Sequence, residues 1–352
     1  MKIIVNYLII LLLMPTLATA GIPKGKYIKE RKISKSYTVN NNAGLQVGNK
    51  YGNIVITPWD EDRTEIEVVI TVSGNNEDNV LKRFNSLDVE FEATRELVKA
   101  FTKIGNFRGM NINMEINYTI KIPRNGTLGV GNQYGGIKLG RINGGMNIDC
   151  QYGSLTIDEA NAENNTINLQ YCDASRIGYI KAAKIKMQYS GIYIVKLGML
   201  TASADYSEVT IDNAGDVNMG LDYSELTIGN ADKVNVRADY TALKVGHVDD
   251  LLNIKTEYGD VTVKEIAASA RSVVVNSTYG TTKLAFADAA RFTFEFELDY
   301  GSLSGQENLK FSEKSDKDSS AHYKGSSNTG SGACKVYVKS EYGDIKINRN
   351  HP

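Results

Sequence analysis

The chain has 352 residues, with 40 Lys and Arg against 41 Asp and Glu and a formal net charge of −1. So even a balance lacks the basic footprint of a nucleic-acid binder, and three cysteines are too few for a disulfide framework. Gly (32) and Tyr (20) are plentiful, Pro (five) is scarce, and Leu- and Ala-rich helical stretches are nearly absent, which points to an all-β chain.

Residues 1–20 read as a secretory signal. Lys2 supplies the positive start, Ile3 to Leu17 an apolar run, and Ala18-Thr19-Ala20 the small residues before a cut at Gly21. The run is short for an anchor, and no later run is long enough to span a bilayer. The mature chain is therefore expected in the periplasm, on the outer-membrane surface or outside the cell. Residues 21–44 follow as a polar leader and first strand, with Lys24, Lys26, Lys29, Arg31, Lys32 and Lys35 solvated. Over residues 45–130, alternation in Thr64-Glu65-Ile66-Glu67-Val68 and again over 110–123 predicts strands. Asn76 to Leu87 predicts a short helix with Val80, Leu81, Phe84 and Leu87 on one face. Coils expose unpaired strand edges, so these elements are expected to cap the first coil.

Residues 131–304 carry a repeat. Tyr134, Tyr152, Tyr171, Tyr189, Tyr206, Tyr223, Tyr240, Tyr258, Tyr279 and Tyr300 recur every 17 to 21 residues, each followed by Gly, Cys, Ser or Thr. Tyr342 comes 42 residues later, read as two turns with an irregular insert, and Tyr51-Gly52 stands as an isolated earlier copy. Six, four and two residues before each Tyr the side chains are mostly apolar, as in Val217, Met219 and Leu221 before Tyr223. That is a strand with one buried face, and Tyr falls on the buried parity. Beyond it the phase slips, with apolar residues three, five and eight on, as in Val209, Ile211 and Ala214; Trp59 takes the last position after Tyr51. A slip at Gly or Ser implies a sharp corner. The Tyr171 unit breaks the pattern, with Ile177 displaced by one, so a loosened corner is expected there.

Each unit thus holds two or three short strands and buries its apolar face only by stacking on its neighbours. The expected fold is all-β: a single-stranded parallel β-helix, or β-solenoid, of right-handed coils, with a small N-terminal strand and helix cap. The tyrosines should form a structural ladder at one corner, rings inward or at the corner itself. Cys150 and Cys172 occupy different coil positions, so a bridge between them would need a distorted coil. Residues 305–332, rich in Ser, Gly, Lys and Asp, predict a mobile loop. Residues 333–352 hold the final coil and C-terminus.

Asn49-Lys50-Tyr51-Gly52-Asn53-Ile54 with Trp59-Asp60, Asn117-Tyr118-Thr119-Ile120-Lys121-Ile122-Pro123 leading to Tyr134-Gly135-Gly136-Ile137, and the closing Tyr342-Gly343-Asp344-Ile345 together resemble the adhesin-type β-helix family common in Bacteroidetes, related to auto-transporter adhesin head domains. The resemblance spans nearly the whole mature chain. It implies the solenoid fold and an adhesin-like role at the cell envelope. No membrane-barrel translocator is recognisable beside it.

Two surface features are candidate sites. The residue before each Tyr is Gln133, Gln151, Gln170 and Gln188, then Asp205, Asp222, Asp239 and Glu257. The amides could stack into a ladder. The four acids, with Glu208 and Glu225 across the corner, could form a weak cation stripe for Ca2+. The alternative is a solvated edge neutralised by Arg237, Lys244 and Lys255. No other cofactor is implied. His247, His322 and His351 are scattered, and no metal-ligand spacing or nucleophile motif appears. Parallel β-helices also carry polysaccharide lyases and hydrolases, a fold-level analogy only; short turns over 134–300 leave little room for the walled cleft such sites use. The sequence therefore predicts an exported, non-catalytic module presenting a repetitive surface to a glycan, the cell wall or an envelope protein. The alternatives are a periplasmic scaffold or sensor for a partner protein and, after that, a β-helix enzyme.

Overall fold

The computed structural model describes residues 25–109 and 111–350; the signal expected over 1–20 lies outside them. The first coils each have two separate strands. Leu128–Gln133, Met146–Gln151 and Asn165–Gln170 stack in parallel on one side, Ile137–Ile142 and Leu155–Ala160 on the other. From Ser175–Gln188 through Gly191–Asp205, Glu208–Asp222, Glu225–Asp239 and Ala242–Glu257, one long strand runs around the second corner into the next coil. A separate third strand is therefore not needed: Leu197, Ala214, Ala231 and Val248, eight beyond their Tyr, belong to these continuous runs, and Ile142, Ala160 and Ile266 end shorter strands.

Register follows from burial. Ile194, Ile211, Ile228 and Val245 lie side by side, as do Leu200, Val217, Val234 and Leu252, and all are buried. A one-residue slip would turn every such row to solvent. Fully burying one of these side chains stabilises by about 1.5–3 kcal/mol, but only where neighbouring coils cover it.

The Tyr51 copy is not isolated. Gly44–Lys50 and Ile54–Trp59 pair directly with the Tyr134 coil. The chain then leaves, and the segments in between return over the other edge. Leu97–Ile104 and Ile112–Pro123 pair in parallel with the Tyr51 coil. Antiparallel strands finish the cap: Arg63–Gly74 on Ile112–Pro123, Tyr27–Thr38 on Arg63–Gly74, and Leu87–Ala93 on Leu97–Ile104. The polar leader is thus largely an edge strand; Lys29, Lys32 and Lys35 are exposed, with Lys32 2.8 Å from Glu67, whereas Arg31, expected to be solvated, turns onto the cap, lying over the Phe84 ring and donating to the Leu87 carbonyl at 2.6 Å. The helix forms over Glu77–Asn85, where the Asn76 side chain accepts the Asn79 amide at 2.9 Å. It buries Val80 but leaves Leu81 exposed, and Leu87 opens the next strand instead. Trp59 is only half-buried. Its indole N–H donates to the Arg63 carbonyl at 2.7 Å, and Arg63 and Lys121 lie over its ring.

The C-terminal expectation needs two corrections. Residues 305–332 are not a loose loop: Leu309–Lys317 and Ser320–Ser327 form an antiparallel hairpin, and the latter strand pairs with Phe292–Asp299. The outer strand shows no apolar alternation because almost all of it is exposed. Charged side chains on such an edge oppose further pairing. The Tyr342 coil is also not the end of the stack. Cys334–Glu341 lies between Ser272–Thr278 and Phe292–Asp299, in parallel with both, and Ile345–Asn350 likewise lies between Thr282–Ala287 and Leu303–Ser304. The last coil in sequence is the second-to-last in space.

Candidate functional site: a tyrosine ladder on one corner

Twelve tyrosines stack in the order 51, 134, 152, 171, 189, 206, 223, 240, 258, 279, 342 and 300, with centroids 4.7–5.1 Å apart and ring planes within 15° of parallel. The ladder is where the period placed it, but it faces out. Every ring is exposed, from 39% at Tyr51 to 63% at Tyr300. The backbone explains the difference from the parity reading: each of these tyrosines has φ between 49° and 62°. The left-handed turn falls on the Tyr itself, not on the small residue after it, and it swings the ring off the buried face. After Tyr171 a further residue, Ala174, also has a positive φ of 55°, which is the loosened corner expected there.

Left-handed backbone costs a non-Gly residue about 1–2 kcal/mol, and an offset-stacked aromatic pair returns about 0.5–1.5 kcal/mol. The two nearly cancel, so the stack alone gives stability little reason to repeat Tyr. The corner amide is satisfied in every case that follows the regular pattern. Tyr134, Tyr189 and Tyr240 donate to the carbonyls of Gln151, Asp205 and Glu257 in the next coil, at 2.8–3.0 Å.

Two kinds of corner follow the Tyr. At the first kind stands Gly, because a Cβ on Gly135, Gly153, Gly280 or Gly343 would lie 2.0–2.1 Å from a carbonyl oxygen of the adjoining coil. At the second, a hydroxyl turns inward. The amides of Cys172, Ser190, Ser207 and Ser224 donate to the hydroxyls of Ser190, Ser207, Ser224 and Thr241 at 3.0–3.2 Å. Each of those hydroxyls donates in turn to the carbonyl two residues back, at 2.8–2.9 Å.

The residue two before the Tyr matches the kind of corner. It is polar before several Gly corners: Asn132, Ser277 and Ser340 donate to the carbonyls of Gly136, Gly280 and Gly343. Before Ser or Thr it is apolar, as in Met187, Ala204, Leu221 and Ala238. The outermost coil departs from the pattern, with Leu298 before Gly301. Sequence reasoning missed this coupling, although it recurs at the same period.

The flanking residues lie where expected but do less than expected. Gln133, Gln151, Gln170 and Gln188 are in register, yet only Gln133 and Gln151 approach a side-chain contact, at 3.5 Å. The amide ladders form elsewhere, from Asn253 to Asn235 to Asn218 and from Asn161 to Asn143 to Asn125, at 2.8–3.0 Å. Asp205, Asp222, Asp239 and Glu257 are in register, as are Glu208 and Glu225. They do not converge: among the described residues, the one set of three ligand-type side chains within 4.8 Å lies on another strand pair. Lys244 meets Glu225 at 2.6 Å and Arg237 lies 3.9 Å from Asp239.

What the corner offers is a stripe of phenol rims and hydroxyls. Along it both faces of each ring between the end rings Tyr51 and Tyr300 are covered by its neighbours. Beside it runs a shallow groove of about 490 Å³, lined by Asp173, Tyr189, Tyr206, Tyr223, Glu208 and Glu225. Desolvation, neighbouring Tyr223 and Tyr258, and then Glu257 and Asp239 push the Tyr240 phenol above its ordinary range, so it remains a hydrogen-bond donor at neutral pH. The cysteines take no part: all three are free and buried, and the Cys172 thiol donates to the Cys150 carbonyl at 3.1 Å.

These features define an all-β, mostly parallel solenoid with an aromatic ladder on its surface. The model of the Toastrack DUF4097 family matches residues 43–348, and the chain belongs to that family. The three motif blocks that carried the resemblance lie inside the matched span. No curated protein matches the chain. Among solved structures, a "putative adhesin" from Parabacteroides distasonis is 11% identical, with 90% of this chain and 97% of that one covered and a TM-score of 0.33. One from Parabacteroides merdae is 10% identical (92% and 98% covered, TM-score 0.32), and one from Bacteroides fragilis 13% identical (93% and 100%, TM-score 0.24). Among the described residues, no helix is long and apolar enough to cross a membrane.

Proposed function

We propose that this chain is an exported, non-catalytic, adhesin-like module of the cell envelope that holds an extended glycan or wall polymer along its tyrosine ladder. One observation carries the reading: twelve rings are kept exposed at a strained backbone position whose cost their stacking only offsets. Residues held in sparsely populated backbone regions cluster at functional sites. Phenol hydroxyls repeating at the coil spacing can exchange hydrogen bonds with successive sugar hydroxyls. Each contact is weak, and affinity accumulates along the polymer.

The test is a glycan array and wall-polymer pull-down with residues 21–352, beside a variant carrying Tyr206→Asn, Tyr223→Asn and Tyr240→Asn. Asn tolerates the left-handed corner, so the fold should persist while binding falls about tenfold or more. Undiminished binding by the triple variant, capture of a protein but no glycan, or turnover of a polysaccharide would each contradict the proposal.

A further inference from the structure

Away from the ladder, two strands of the C-terminal cap bring together a donor set that none of the preceding roles uses. Glu295 and Glu297 stand two residues apart on Phe292–Asp299, so their side chains share a face. His322, on the neighbouring antiparallel strand Ser320–Ser327, is directly opposite Glu297. One carboxylate oxygen from each Glu and one His322 ring nitrogen lie within 4.8 Å of one another, and all three residues are half-buried. His322 Nε2 is 3.0 Å from Glu295 Oε1. Ligands about 2.0–2.1 Å from a tetrahedral metal stand roughly 3.4 Å apart, so the set closes around an ion with small side-chain movements.

We propose that Glu295, Glu297 and His322 form a zinc site that fastens the C-terminal hairpin to the outermost coil. One imidazole and two carboxylates suit Zn2+ and would leave its fourth position for water. An imidazole donor argues against Ca2+ and Mg2+, which take oxygen ligands. The surroundings supply the outer shell such sites use to orient their ligands. Tyr337, on the strand on the other side, lies directly opposite Glu295. Lys324 Nζ lies 3.3 Å from Glu295 Oε1 and competes with a metal for that carboxylate, whereas Lys339 is turned away onto Glu341 at 2.7 Å. Because the ligands come from two strands, the ion would bind the folded cap and not the unfolded chain.

The measurement is calorimetric titration of the full mature chain with Zn2+, Ca2+ and Mg2+, paired with thermal melting. Saturable one-to-one Zn2+ binding is expected, with Tm raised by about 2–4 °C at large excess and no response to Ca2+ or Mg2+. His322→Ala should weaken Zn2+ binding about tenfold or more while the metal-free protein melts close to wild type. Lys324→Met should tighten it, which an ordinary surface ion pair does not predict. Absence of saturable binding, binding unchanged in His322→Ala, or weaker binding in Lys324→Met overturns the proposal.

Discussion

The tyrosine corner shows how far a single residue can be read from sequence. The period located the ladder but not the places of Tyr51 and Tyr342 in it, and alternation put the rings inward or at the corner. The left-handed φ reversed that assignment: the phase slip marks a corner, but the apolar run continues into the Tyr and nothing in the pattern puts the turn on the Tyr rather than on the residue after it. Stacking energies then order the variants. Tyr223 has a ring on either side and Tyr300 on one side only. Tyr223→Ala should therefore cost about 1–3 kcal/mol and Tyr300→Ala about half of that, read from urea midpoints; equal losses would contradict the ladder. The small residue after the Tyr answers to a different constraint. At Gly280 an added Cβ meets the Gly259 carbonyl oxygen at 2.1 Å, so Gly280→Ser should cost about 3 kcal/mol or more. Replacing Ser224 by Ala, which leaves the Ser207 amide without its acceptor, should cost about 1–3 kcal/mol. If Gly280→Ser proved neutral, the two corner types would be interchangeable and the coupling to the residue two before the Tyr would have no physical basis.

Elements were legible where they followed the repeat or carried a local signal. The helix announced itself through Asn76 and the spacing of Val80 and Phe84. The hairpin after Gly305 did not, because an outer strand with one open edge and no buried face has no alternation to show. The wedging of the last coil was hidden for another reason: nothing in residues 334–350 records which edges they pair with. Asp344 ties that coil to the outermost one, accepting from the Ser302 amide at 3.0 Å and its hydroxyl at 2.7 Å. Those bonds hold its carboxyl below the usual carboxylate range. A depressed folded-state pKa adds stability above the unfolded value of about 3.9, and that stability is lost as pH falls through the lowered value. Hydrogen exchange at residues 300–304 should rise below about pH 4 in the wild type, and Asp344→Ala should show the rise already at neutral pH. A pH-independent wild-type profile would contradict this clamp. Deleting residues 334–352 should have a larger effect, exposing 290–333 to proteolysis, because the outermost coil then loses the strands between it and the Tyr279 coil. A truncated chain that keeps its hairpin protected would argue against the wedge.

For the molecule as a whole, stacking does most of the work. No coil is buried without its neighbours, so repeated side-chain rows set the register and the two caps cover the ends. That architecture was readable from spacing alone, as were the polar corners. What spacing could not give was which side of the corner faces water, and the proposed role depends on that. Nitration of the tyrosines, mapped by mass spectrometry, tests it directly. Tyr118 is the internal control: it is 1% exposed, its hydroxyl meets Thr102 at 2.7 Å, and burial pushes its phenol up to about 12. The twelve stacked tyrosines should be modified in the free protein while Tyr118 is spared, and a bound wall polymer should protect the stack. Unmodified rings in the free protein, or equal modification under saturating polymer, would mean that the stripe is not the surface this protein uses.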